Sequence, residues 1–161
     1  MGRDYPPSWV GICRPIEEIT VSDYDVTITR AIQAPTARVW SALTDPALVS
    51  KWMMGAMVDS SWKKGDPITW NGEYEGKSYS DKGQVLDVDP GKRLVHTHFS
   101  AMSGAEDRPE NYHRLDWKLA ADGDATKLTL VQFGAHSQQE ADQFKQNWAM
   151  MLDGLRDTAQ S

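Results

Sequence analysis

Cysteine is nearly absent: Cys13 stands alone among 161 residues, so no internal disulfide can form. That usage suits a reducing compartment, and a cytoplasmic location is expected. No apolar run is long enough to span a bilayer, which argues against membrane insertion. The opening MGRDYPPSWV offers neither the apolar stretch of a signal peptide nor the serine or threonine that myristoylation needs. Basic clusters are missing too. With a net charge of −6, nucleic acid and anionic membrane surfaces are unsuitable as main partners. There is no G-x-S-x-G elbow, phosphate-binding glycine loop or H-E-x-x-H helix. No motif therefore assigns a catalytic residue or a metal ligand, and no cofactor is expected.

The length is that of one domain, able to bury about 68–70% of the surface its unfolded chain exposes. Residues 1–23 read as an N-terminal extension, irregular because Pro6, Pro7 and Pro15 donate no ladder hydrogen bonds, with Trp9 and nearby isoleucines available to dock. Residues 24–161 read as the domain. Its dominant element is a helix from 137 to about 158. Ser137 and Glu140 have the spacing of a capping box, and Ala141, Phe144, Trp148, Leu152 and Leu155 form one apolar stripe. Such a stripe needs a broad apolar partner, and the strand-like segments upstream supply it.

Residues 24–32 alternate as a half-buried strand, with Val26, Ile28 and Ile32 on one face. Pro35 sits where a first-turn proline is tolerated, and Val39, Trp40 and Leu43 give a short helix. Asp45 can cap a second, with Pro46 at its first position. Turn signals at 63–66, 75–77 and 89–92 then read as hairpin links, followed by a polar loop over 100–110 and a turn at 122–124. The order is strand, two short helices, about six antiparallel strands and the long helix.

The stretches ITRAIQAPTARVWSALTDPALVSKWM, YEGKSYSDKGQVLDVDPGKRLVHTHFS, PENYH and NWAMMLDGL resemble the activator-of-heat-shock-ATPase homologues (AHSA-like). These belong to the START-like helix-grip superfamily, also called SRPBCC or polyketide-cyclase-like. The resemblance implies an α+β helix-grip fold: a curved antiparallel sheet of six or seven strands around the C-terminal helix, two short helices after the first strand, and a cavity between. Residues placed to line it are Trp52, Trp70, Trp117, Phe144 and Trp148. Aromatics at such spacing more often serve plain core packing.

The histidines are the one constellation with chemical potential. His96 and His98 share a strand face. If the next strand places His98 opposite His113, then Leu94 meets Trp117 and all three imidazoles face the cavity. Three imidazoles can hold zinc, but a hydrogen-bonded polar wall is the plainer reading. One conflict arises: a two-residue turn at Pro90-Gly91 would put Leu86 and Val88 on the face opposite the histidines. The expected function is binding of a small apolar molecule. The alternatives are a chaperone-regulating or other protein-interaction module, which includes a homodimer, and a small cyclase, hydrolase or lyase using the same cavity.

Overall fold

The structure is a computed structural model and describes residues 24–161. The expectations for residues 1–23, Trp9 and Cys13 among them, lie outside the described residues. The first strand, β1 (Val26–Ile32), buries Val26, Ile28 and Ile32 as its alternation requires. Helix α1 (Thr36–Thr44) follows; Pro35 stands just outside it as the N-cap, not within the first turn. Helix α2 (Pro46–Trp52) starts as expected, with the Asp45 carboxylate accepting from the Ala47 N–H at 3.0 Å. Six strands come next: β2 (Met57–Asp59), β3 (Pro67–Tyr74), β4 (Lys77–Asp89), β5 (Arg93–His98), β6 (His113–Asp122) and β7 (Ala125–Phe133). Helix α3 (Gln138–Gln160) closes the chain. The strands form one antiparallel sheet in the order β1-β7-β6-β5-β4-β3-β2, and the fold is the helix grip.

Register decides which side chains meet. Glu75 and Gly76 form a two-residue turn with φ of 50° and 80°, the left-handed geometry of tight hairpins, so Tyr74 pairs with Lys77 and Trp70 with Asp81. The β4–β5 link corrects the conflict noted above. It is a three-residue turn of Pro90, Gly91 and Lys92, so Val88 pairs with Leu94 and shares the histidine face. Leu86 then forms a bulge, and beyond it Val85 pairs with His96. Val85 and Val88 therefore join the core with Leu94, while Leu86, at the bulge, does not.

Helix α3 is fixed chiefly at its C-terminal half. Leu152, Leu155, Thr158 and Ala159 are buried there, and Gly154 lets the helix approach Trp52 closely, since a methyl group in its place would lie 3.3 Å from the Trp52 Cβ. The Arg38 guanidinium donates to the Ala159 and Ser161 carbonyls at 3.2 and 2.9 Å, satisfying helix-end acceptors with a cation. Arg30 of β1 donates to Asp153 at 3.1 Å. At the other end Ser137 caps through the Glu140 N–H, while the Glu140 carboxylate accepts from the His136 N–H, one residue earlier than a standard capping box. Phe144, Trp148 and Met151, from the same stripe, are only partly buried. Leu152→Ala should therefore cost about 2–5 kcal/mol in denaturant melts, and Trp148→Ala distinctly less. Equal losses would mean that the helix is gripped evenly along its length.

Candidate functional site

Between the N-terminal half of α3 and the sheet lies a cavity of about 380 Å³. Its wall is mostly apolar because the helix stripe and the inward faces of β3, β5 and β6 meet there. All eight residues singled out from the sequence line it: Trp52, Trp70, His96, His98, His113, Trp117, Phe144 and Trp148. Trp117 sits at the centre of an aromatic chain, edge-on to Trp52 at 6.4 Å and to Trp148 at 5.4 Å. The Trp52 indole N–H donates to the Ala42 carbonyl at 2.7 Å, and that of Trp148 donates to the buried Gln132 side chain. These bonds fix the rings, so the wall is largely preformed.

The β5–β6 register pairs His98 with His113 and Leu94 with Trp117, which brings the three imidazoles to one face. Their roles differ. His96 is buried, its Nε2 accepting from the Trp117 indole N–H at 3.0 Å and its Nδ1–H donating to the Thr97 carbonyl at 2.9 Å. Burial pushes its pKa down to about 4, against the opposing effect of the Thr97 contact. Both nitrogens are engaged, so this ring holds Trp117 in place and has no lone pair left for a metal. Burial, and then the neighbouring His98, also lower the pKa of His113, which packs edge-on to Phe144 at 4.9 Å. His98 differs again: its Nε2 lies 2.9 Å from Asp81 Oδ2, with the Trp70 ring edge-on at 5.3 Å. Among the described residues no three histidine, cysteine or carboxylate side chains are grouped so as to hold a metal ion.

Asp81, Gln132 and Trp62 are lining residues that the sequence reading missed. Asp81 had a signal: counting five residues each way from the Glu75-Gly76 turn sets it opposite Trp70. Trp62 had none, because it reaches the wall from a loop with φ of 59°, a left-handed conformation rare for tryptophan.

Similarity agrees with this architecture. The family model described as "Activator of Hsp90 ATPase homolog 1-like protein" matches residues 33–160. The chain belongs to this family. Among solved structures, the solution structure of ChR145 from Cytophaga hutchinsonii is 36% identical, covering 86% of this chain and 93% of that one at a TM-score of 0.73. The Aha1 dimer from Colwellia psychrerythraea is 18% identical, covering 84% and 96% at 0.67. DynU16, a protein from the dynemicin biosynthetic locus, is 22% identical, covering 84% of this chain and 47% of that one at 0.70. The last two share the fold. No curated protein matches the chain significantly. The family thus confirms the helix grip, and no described helix is long and apolar enough to cross a membrane.

The neutral His96 makes stability depend on pH. Unfolding returns the ring to its ordinary pKa of 6.5, so between about 4 and 6.5 the unfolded chain takes up a proton that the folded chain refuses. The contribution is complete above pH 6.5 and is lost as pH falls toward 4, a decline on the order of 3 kcal/mol. Denaturant melts at pH 7 and pH 4.5 should show this decline in the wild type and a smaller one in His96→Phe. Equal declines in both would remove His96 as its source.

Proposed function

We propose that this chain binds a small, mostly apolar molecule in the cavity under α3. The supporting observation is the cavity itself: about 380 Å³, walled by aromatic rings, with the Trp52, Trp117 and Trp148 indole N–H groups already bonded within the protein and a few polar side chains in reach. That volume and lining match the usual small-molecule site. The aromatic wall favours a flat ring system over a long chain. The single cysteine fits work in the cytoplasm.

A second reading, a protein-interaction module, draws on a different feature. Met54, Met57 and Tyr74 are 67%, 57% and 50% exposed around the edge strand β2 and the end of β3. Exposed methionines at an open sheet edge suit a partner strand or a second copy, and the related Colwellia protein is a dimer. Sedimentation over a range of concentrations tests this: a dimer that Met57→Lys dissociates supports a self-interface, and a monomer throughout counts against it.

For the cavity, the apolar fluorophore N-phenyl-1-naphthylamine should bind with one equivalent and quench tryptophan emission. Trp148→Ala should weaken binding by about tenfold through loss of ring contact. Unchanged affinity in that variant would move the ligand site away from α3.

A further inference from the structure

We propose that Asp81 and His98 form a proton-accepting subsite for an acidic hydroxyl, of the phenol or enol class, on the molecule held in the cavity. The inference rests on the cavity-binding reading above and adds the chemistry of its ligand. A carboxylate only accepts hydrogen bonds, so the proton between the two groups belongs to His98 Nε2, 2.9 Å from Asp81 Oδ2. The tautomer is thereby fixed. His98 Nδ1 then carries a lone pair, has no hydrogen-bond partner among the described residues, and sits on a ring that lines the cavity. His96 and His98 thus diverge although they share a strand face: one ring has both nitrogens occupied, the other has one held and one available.

The surroundings suit a proton acceptor. The Asp81 side chain is only 16% exposed, and its Oδ1 is buried with no partner, so the carboxylate carries charge that little else offsets. A proton arriving at Nδ1 would make an imidazolium directly against that charge, the relation by which an orienting aspartate supports a histidine base. The transfer balances simply. The ligand O–H bond breaks, an N–H bond forms at Nδ1, the electron pair stays on oxygen as phenolate or enolate, and the proton returns on release. No serine, threonine or cysteine among the described residues hydrogen-bonds His98, so the geometry points to action on the ligand itself and not through an enzyme nucleophile. Trp70, against both the His96 and His98 rings, offers an apolar surface on which the ring bearing that hydroxyl can rest.

Two probes separate this inference from the reading beneath it: 2-naphthol, and its methyl ether 2-methoxynaphthalene, which lacks the proton. Both should bind, with 2-naphthol preferred by about tenfold, as one hydrogen bond to a well-placed acceptor allows. Excited beyond the tryptophan band, bound 2-naphthol should emit as naphtholate, because its excited state sheds a proton to an adjacent acceptor. In His98→Gln both the preference and the naphtholate band should fall away. Asp81→Asn should do the same by another route, since an amide can donate to Nε2 and leave the proton on Nδ1. Equal binding of the two probes without naphtholate emission would overturn the subsite and leave the cavity reading standing. A naphtholate band that persists in both variants would also overturn it. Failure of both probes to bind would remove the cavity reading and the subsite with it.

Discussion

The seating of α3 is the constraint on which the rest depends. Leu152 and Leu155 are completely buried, Gly154 admits close contact with Trp52, and two arginines tie the last turns of the helix to β1 and α1. Once that end is fixed, the rigid helix carries Phe144, Trp148 and Met151 across the curved sheet whether or not they find close partners. They remain partly buried, and the space beneath them is the cavity. An apolar stripe that a bundle would bury along its whole length is divided here into an anchor and a roof.

The polar groups inside that space follow the same economy. An apolar cavity tolerates a polar atom only when it is bonded. The Trp117 indole, His96 and the Thr97 carbonyl satisfy one another in a chain, and Trp148 and Gln132 do likewise. These pairs serve to position the wall. The Asp81–His98 pair differs: one carboxylate oxygen and one ring nitrogen are left over. Such left-over atoms on a cavity wall are where ligand chemistry has room to act.

Much of this was legible in the sequence, because the signals were local. The Asp45-Pro46 start of α2, the Ser137 cap, the alternation of β1 and the stripe of α3 each depend on residues a few positions apart. The pairing of His98 with His113 was reachable as a conditional step, since that register alone brings Leu94 to Trp117. What escaped has physical reasons. Strand β2, with three residues, is too short for alternation to show, and it exists because β3 offers it an edge. The Pro90-Gly91 pair suggests a two-residue turn although Lys92 is its third residue, and the Leu86 bulge carries no glycine or proline to announce it, so the local signals set the β4–β5 faces at odds. Asp81 was passed over because carboxylates are disfavoured in strands, which is also why its presence in β4 carries information.

Gly83 links the backbone to this chemistry. A methyl group at that position would lie 1.9 Å from the Thr97 carbonyl oxygen, so β4 and β5 approach there as only glycine permits. The approach lies between two features that bend the pairing: the Leu86 bulge on one side and the Lys82–Phe99 bridge on the other. With no side chain at Gly83, His98 can lean diagonally across β4 to reach Asp81, two residues further along. The close approach of β4 and β5 at Gly83 thus accompanies the meeting of two groups whose hydrogen bonding is left unfinished.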